Sequence, residues 1–222
     1  MAYDLEEQEQ IASLKAWWNK YGNLTSWVLI VVLLAYSGWT GWNYYVRTQS
    51  GHAAQLFEEQ QAAAVAKDNA KVQRAAADMQ ARFSDTAYAQ MSGLIAAKSA
   101  FDANDLAAAK TQLQWVVAHG SDEYQTIAKL RLAGVLLDEK SYDAALQTIA
   151  SGTVPSFAGA VADRKGDILV AQNKLADART AYLAALAATD AKNPGRQLIQ
   201  LKLEAIGGSA PVVTTTIVSK AV

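Results

Sequence analysis

The sequence of 222 residues contains no cysteine. This absence excludes disulfides, Cys-ligated zinc, iron–sulfur clusters and thiol catalysis, but it leaves the compartment open because an oxidising space does not require cysteines. Proline is scarce as well, with three residues at positions 155, 194 and 211. Alanine is abundant, and runs of β-branched residues are rare before the final segment. We therefore expect an all-α fold.

An excess of basic charge is also missing. Three of the 20 Lys and Arg residues and four of the 21 Asp and Glu residues precede Thr48, which leaves 17 of each sign downstream. Domains that bind nucleic acid normally carry a clear basic excess. We therefore expect no nucleic-acid partner.

The residues of a catalytic or metal site do not occur in a recognisable arrangement. The two histidines, His52 and His119, are far apart and lack the HExxH spacing or a comparable zinc pattern. There is no nucleophile elbow, no phosphate loop and no dinucleotide-binding glycine motif. Asp102, Asn104 and Asp105 resemble the start of a calcium loop, but its central glycine and closing glutamate are missing. We expect no enzymatic activity, no catalytic residue, no cofactor and no metal.

A long uncharged stretch covers residues 21–46. Its 26 residues would span roughly 39 Å as a helix, more than the ~30 Å hydrocarbon layer of a bilayer. Five of the six tryptophans lie at or before Trp42, and such rings are enriched at membrane–water interfaces. A buried core helix is the alternative, but it does not explain this concentration of tryptophan. We predict a transmembrane anchor.

The anchor is expected to be retained rather than cleaved as a signal peptide. The leader before it is twenty residues long and carries four acids, and bulky rings occupy the place where a peptidase needs small residues. Lys15 and Lys20 before the span outnumber Arg47 after it, which favours a cytoplasmic amino terminus and a translocated carboxy-terminal part.

Residues 1–20 form a predicted amphipathic cytoplasmic leader. Leu5, Ile11, Leu14, Trp18 and Tyr21 have nearly helical spacing, so their apolar side could lie on the membrane or against a partner. A plain helical continuation of the anchor is an equal alternative.

Within the anchor, Ser37, Gly38 and Gly41 form a shallow groove of small residues. Such residues let a second helix approach closely, so we interpret this face as a transmembrane packing surface. Because glycine is common in membrane helices, a chance occurrence is the alternative.

Residues 47–208 contain an internal repeat. Four similar turns precede Val72, Leu106, Tyr142 and Leu175, which are 34, 36 and 33 residues apart. Each of these positions is followed three residues later by Ala and seven later by an apolar or aromatic residue, and each is preceded nine residues earlier by Ala or Gly. This pattern predicts stacked pairs of antiparallel helices.

The end of the repeat region is also predicted. Pro194 opens a last helix, which Gly207 and Gly208 terminate, and residues 209–222 form an expected disordered tail.

The repeats resemble a degenerate tetratricopeptide repeat. The small first-helix position of that repeat is matched by Ala97, Ala133 and Gly166, its aromatic-x-x-Ala step by Tyr142 to Ala145, and its later large residue by Leu113, Ile149 and Tyr182. The usual Trp near the start and Pro at the end are missing. The expected architecture is a single amino-terminal transmembrane helix followed by a tetratricopeptide-like helical solenoid.

The layout as a whole is similar to the YfgM-like family of ancillary subunits of the bacterial Sec translocon. The similar features are the acidic leader with Trp17-Trp18, the Asn19-Lys20-Tyr21-Gly22 segment, the anchor ending in Gly38-Trp39 and Trp42-Asn43-Tyr44-Tyr45, and the repeats. The resemblance implies a non-enzymatic, single-pass protein of the inner membrane with its repeats in the periplasm. It also implies binding to the SecYEG channel, to a periplasmic chaperone of the prolyl-isomerase type and to unfolded or newly translocated proteins. A structural scaffold of another envelope complex, in cell division or outer-membrane assembly, is the alternative function.

The tetratricopeptide register also implies a partner or client groove. Positions two, five and twelve of the first helices would line a concave surface, and these positions hold Met91, Leu94, Phe101, Ile127, Leu130 and Leu137. Burial of some of these residues in ordinary inter-repeat core is the alternative.

Overall fold

The computed structural model of the chain describes residues 3–150 and 152–209, with side chains from Glu9 onward. Every regular element in these residues is a helix, which confirms the all-α prediction. The helices are α1 (Tyr3–Val65), α2 (Asn69–Arg82), α3 (Ala87–Asp102), α4 (Leu106–His119), α5 (Asp122–Asp138), α6 (Tyr142–Ile149), α7 (Ala158–Ala171), α8 (Leu175–Ala188) and α9 (Gly195–Ala205), with a 3-10 turn at Pro155–Phe157. Of the predicted tail, residues 210–222 lie outside the described part.

The chain divides between His52 and Ala53 into two units. The described residues of the first unit all belong to α1, and the apolar side chains of its central part are exposed. Within the described residues, α1 is long and apolar enough to cross a membrane by length and composition, which agrees with the predicted amino-terminal transmembrane helix; the bounds 21–46 stay a prediction. Leu5 of the predicted leader is outside the residues whose side chains are described.

The second unit is a stack of antiparallel helix pairs. From Ala53 onward, the end of α1 packs on α2 in two core clusters, one with Phe57 and Met79 and one with Ala63 and Val72. Each later helix packs on the next along the chain, and α5 also packs on α7. The first helices of successive units are therefore the carboxy-terminal end of α1, then α3, α5, α7 and α9. The second helices are α2, α4, α6 and α8. This is the predicted tetratricopeptide-like solenoid.

The turn inside each helix pair has one recurring backbone geometry. Lys67, Asn104, Lys140 and Asn173 all have φ between 58° and 61°. In the first turn, the amide of Asp68 donates to the carbonyl of Ala63 at 2.9 Å and that of Lys67 to Ala64 at 3.1 Å. These two bonds form a Schellman motif, which satisfies carbonyls at the helix end.

The same bonds recur at the other three turns and once more at the end of α9. There Gly207 has a φ of 75°, and the amide of Gly208 donates to the carbonyl of Leu203 at 2.9 Å. The predicted termination of the last helix by these two glycines is confirmed.

These turns correct the predicted register of the first unit by three residues. The left-handed residues are spaced 37, 36 and 33 apart, so Asn69, the first residue of α2, is equivalent to Leu106. Val72 therefore occupies the buried alanine position, and the small first-helix position holds Gln60 instead of Ala63. The prediction was wrong because it aligned the first apolar residue of α2, whereas α2 begins with a polar one.

A small residue packs under a large one in the later units. Leu113 and Ile149 share core clusters with Ala97 and Ala133, respectively. In the fourth unit, a Cβ placed on Gly166 would lie 2.4 Å from a ring carbon of Tyr182. The close approach of the two helices of this pair therefore depends on the missing side chain.

The third pair is incomplete. Helix α6 has 8 residues, whereas α2, α4 and α8 have 14 each. The chain leaves the helical course through Gly152, with φ 63°, and continues to the 3-10 turn before α7. An open cavity of about 560 Å³ lies between this connecting segment and helices α7 and α8, and it is lined in part by Val154, Pro155 and Ala181.

Candidate partner-binding surfaces

The predicted packing face of the anchor is open in the structure. Ser37, Gly38 and Gly41 are exposed on α1, and a Cβ built on either glycine would have no atom within 4 Å beyond its own helix backbone and chain neighbours. Aromatic pairs flank this segment, with the ring centroids of Tyr36 and Trp39 6.3 Å apart. The geometry provides room for a second helix, and pairing there stays a prediction.

The leader carries a compact aromatic group just before the anchor. The ring of Trp17 lies 6.2 Å from that of Trp18 and 5.9 Å from that of Tyr21, measured between centroids. The Lys20 ammonium lies 5.2 Å from the Tyr21 ring centroid, which is within the range of a cation–π contact. Rings with a nearby cation are typical of the membrane–water boundary.

Two residues of the predicted client groove meet in one cavity, which we call the Phe101 groove. It has a volume of about 400 Å³ and is lined by Phe101, Leu137, Arg131, Arg164 and other residues of α3, α4, α5 and α7. Phe101 is 43% exposed, although it is a large apolar side chain. A ring that is this accessible can bind a partner without opening the core.

A second cavity of about 780 Å³ lies on the other side of Arg131, and we call it the Val65 groove. It is lined by Val65, Leu94 and Ile95, among others, and it shares Lys98 and Arg131 with the Phe101 groove. Val65 is 86% exposed, whereas Leu94 is 7% exposed.

The remaining predicted groove residues lie elsewhere. Met91, Ile127 and Leu130 are half-buried and pack against three different core clusters. None of them is among the residues that line the Phe101 or Val65 groove. The structure thus brings Phe101 and Leu137 together, places Leu94 next to them across Arg131, and separates the other three.

Basic residues of these grooves were missed by the sequence reasoning. Arg131 and Arg164 both lie nine residues before the left-handed turn residue of their unit, so they are equivalent positions on α5 and α7. This equivalence is a signal that was present in the sequence. Lys98 is not equivalent to them, and only the folded chain places it beside Arg131.

The three basic side chains are neutralised to different degrees. Lys98 forms an ion pair with Asp102 at 2.5 Å, and Arg164 lies 3.6 Å from Asp167. The guanidinium of the exposed Arg131 donates to the carbonyl of Leu94 at 3.4 Å, a long bond to an uncharged acceptor. Of Lys98, Arg131 and Arg164, Arg131 is therefore the one most available to a new anion.

A separate polar cluster attaches α9 to α7. The Lys202 ammonium lies 2.9 Å from an Asp163 oxygen and 2.8 Å from an Asp167 oxygen, and the Tyr182 hydroxyl donates to Asp167 at 2.9 Å. Burial raises the pKa of the Asp163 carboxyl despite the nearby Lys202. Burial, together with the charge of Asp167, also raises the pKa of Tyr182. Every group has a polar partner, so the cluster is suited to holding helices together.

Within the described side chains, no group of three His, Asp or Glu residues is arranged to hold a metal ion. His119 stacks on Trp115 with centroids 4.6 Å apart, and its Nδ1 lies 2.9 Å from the Trp115 carbonyl oxygen. These contacts are those of a residue that closes the end of α4.

Comparison with known proteins gives consistent results. Residues 15–208 match the family of tetratricopeptide repeat-like domains. An ancillary SecYEG translocon subunit of Neisseria gonorrhoeae is 31% identical over 212 residues, 93% of this chain and 100% of the relative. Proteins of the same name from Haemophilus influenzae and Escherichia coli are 31% and 29% identical over 90% and 89% of this chain, and both alignments cover 95% of the relative. The comparison with solved structures gave no match. The resemblance inferred from the sequence is confirmed, and the chain belongs to the family of ancillary SecYEG translocon subunits with a tetratricopeptide repeat-like domain.

Proposed function

We propose that this chain is an ancillary subunit of the SecYEG translocon in the inner membrane, where it assists periplasmic chaperones in handling newly translocated proteins. The observation that carries the proposal is the similarity to proteins named as such subunits, which extends through the anchor and the repeats. The exposed Phe101 at the mouth of a groove supports the part of the proposal that concerns clients. A non-enzymatic interaction role is consistent with the repeat architecture.

The proposed orientation places residues 1–20 in the cytoplasm and everything after Arg47 in the periplasm. Protease added to spheroplasts should therefore remove the repeats and leave a short membrane-protected fragment, because the positive residues before the span keep the amino end inside. In inverted vesicles, the same protease should trim the leader only. Full protection of the repeats in spheroplasts would contradict this orientation.

The partner can be identified by crosslinking in intact membranes followed by solubilisation and pull-down. Recovery of the SecYEG subunits and a prolyl-isomerase-type chaperone is the expected result. Recovery of division or outer-membrane assembly factors without channel subunits would instead support the scaffold function.

The anchor face can be tested with a matched pair of double variants. Ser37→Leu with Gly41→Leu fills the groove of small residues and should lower recovery of the channel, because bulky side chains keep the two helix backbones apart. Val28→Leu with Val32→Leu adds bulk to the opposite face of the same helix and should have no effect. Equal recovery with both variants would assign the association to the repeats.

The client surface can be tested with Phe101→Ser combined with Leu137→Ser. Because Phe101 is 43% exposed, we expect weaker binding of unfolded polypeptide with a small change in melting temperature. A loss of a fully buried large side chain typically costs about 3–5 kcal/mol. A correspondingly large drop in melting temperature would place these residues in the core.

A further inference from the structure

The Phe101 and Val65 grooves are adjacent and share a charged wall. Arg131 and Lys98 line both cavities. Each cavity has an apolar part, formed by Phe101 and Leu137 on one side and by Val65 on the other. A bound segment that crosses the wall would therefore meet apolar, charged and apolar surface in that order.

The charge of this wall is positive and only partly neutralised. Lys67, Lys98, Arg131 and Arg164 face the two cavities, and the acidic residues that line them are Asp102 and Asp138. Asp102 is already paired with Lys98. Among the described residues, the guanidinium of Arg131 makes one hydrogen bond, at 3.4 Å to the Leu94 carbonyl. A guanidinium binds a carboxylate through two parallel hydrogen bonds, which this carbonyl does not supply.

The size of the cavities limits the occupant. Volumes of about 400 and 780 Å³ accommodate a few side chains each, which is the scale of an extended peptide and not of a folded domain. The charged wall disfavours a basic segment because like charges repel across partly desolvated surface.

We propose that the two grooves together bind an extended peptide segment in which an acidic residue is flanked by apolar residues. The carboxylate of the peptide pairs with Arg131, one apolar side chain lies against Phe101 and Leu137, and the other lies in the Val65 groove. This inference rests on the proposed client-binding function and specifies the chemistry of the client.

The test uses the full-length chain in lipid nanodiscs and short fluorescent Gly/Ser peptides with a central Leu-Asp-Phe, Leu-Asn-Phe or Leu-Lys-Phe. Fluorescence anisotropy should give the tightest binding for the Asp peptide, roughly five-fold to ten-fold tighter than for the Asn peptide, as one charge-assisted pair provides. The Lys peptide should bind most weakly. The preference should shrink at high salt, because ions screen the accessible part of the pair.

Variants of Arg131 separate charge from apolar contact. Arg131→Gln should abolish the preference for Asp over Asn, Arg131→Glu should reverse the order of the Asp and Lys peptides, and Arg131→Lys should retain a reduced preference. Phe101→Ser should weaken all three peptides by a similar factor. Arg74→Gln removes an exposed cation of α2 that lines neither groove, and it should change nothing.

Three outcomes would overturn the proposal. Equal binding of all three peptides that still depends on Phe101 would show a general apolar site, and the client-binding function would stand without the charge preference. Dissociation of a dimer of this chain into monomers on peptide binding would show that a second copy of the chain occupies the grooves. Unchanged preference in Arg131→Gln would exclude this residue as the anion site. Recovery of SecYEG by the Arg131→Gln variant should equal that of the wild type, so the translocon association is tested independently.

Discussion

Replacing Gly166 with alanine tests whether the small residue on the first helix of a pair sets the distance to the second helix. The added Cβ would lie 2.4, 2.6 and 2.9 Å from three ring carbons of Tyr182. The ring is 3% exposed, and its hydroxyl is held by Asp167 at 2.9 Å. Tyr182 therefore cannot turn away without losing a hydrogen bond, so α7 and α8 have to separate or the ring has to leave its rotamer.

The change in the free energy of unfolding that Gly166→Ala should cause is the balance of two opposing effects. Overpacking a core typically costs about 1–3 kcal/mol, whereas Gly→Ala inside a helix contributes about 0.5–1 kcal/mol of stability. The balance at Gly166 is a net loss of about 1–2 kcal/mol, which lowers the melting temperature of a domain of this size by roughly 3–6 °C.

Gly134 provides the matched control because it is also a helical glycine of a first helix. A Cβ at this position would have its nearest contact at 3.7 Å, with the end of the flexible Arg164 side chain. Only the helix-propensity gain remains there, so Gly134→Ala should raise the melting temperature by about 2 °C. The assay is thermal unfolding of the full-length chain followed by far-ultraviolet circular dichroism. If Gly166→Ala melts at or above the wild-type temperature, the close packing of Tyr182 on α7 does not limit the helix spacing.

Three further variants test the acid cluster, the helix caps and the turns. Because the pKa of Asp163 is raised in the folded state, that state takes up a proton before the unfolded state does as the pH falls toward the ordinary pKa of an aspartic carboxyl. The free energy of unfolding of the wild type, measured by urea titration at each pH, should therefore rise relative to that of Asp163→Asn as the pH falls. Lys174→Asp should raise the free energy of unfolding in urea titrations by about 1 kcal/mol, because the N-cap residue of α8 makes no side-chain cap bond, whereas Asp105 caps α4 by accepting from the Ala108 amide at 2.9 Å. Lys140→Gly should stabilise by up to about 1 kcal/mol by relieving the left-handed backbone at φ 60°, and the same change at the exposed Lys165, inside α7, should destabilise by a similar amount.

The repeat turns could be predicted from the sequence because their signals are local. Asn104 and Asn173 tolerate the left-handed conformation better than most residues, and an acidic residue at 68 and 105 caps the helix that follows. The anchor was predictable for a similar reason, since a long uncharged run and the aromatic rings that flank it are properties of one continuous segment. Neither inference requires knowledge of which helices are neighbours.

The positions of the candidate groove residues could be predicted only in part. The register placed Phe101 and Leu137 correctly at equivalent positions, but whether a first-helix residue faces a cavity or a neighbouring core depends on lateral packing between units. Met91 packs against the cluster around Phe57 and Met79, which belongs to the preceding unit. The shortened α6 is likewise invisible to a periodic pattern, because the positions that mark a unit end at Ile149, the last residue of α6, and the pattern contains no position beyond it.

Gln60 shows why the first unit did not fit the pattern. In the later units the first-helix position is small and the facing second-helix position is large, as with Gly166 and Tyr182. In the first unit the order is exchanged, because the fully buried Gln60 takes the first-helix position and Ala76 takes the second. The amide nitrogen of Gln60 donates to the carbonyls of Val72 and Ser92 at 3.3 and 3.1 Å, which partly satisfies a polar group in the core.

Packing density constrains the summed volume of two facing side chains more strongly than the volume of either one. An alignment that starts from Val72, the first apolar residue of α2, finds the small Ala63 nine residues earlier, so it gives no sign that Gln60 holds the equivalent position. A search that scores the pair would align Gln60 with Ala97, because the loss of the small residue on one helix coincides with the appearance of Ala76 on the other. Degenerate repeats of this kind are better recognised by paired volumes together with the left-handed turn residue, which stays at one place in every unit while the side chains around it change.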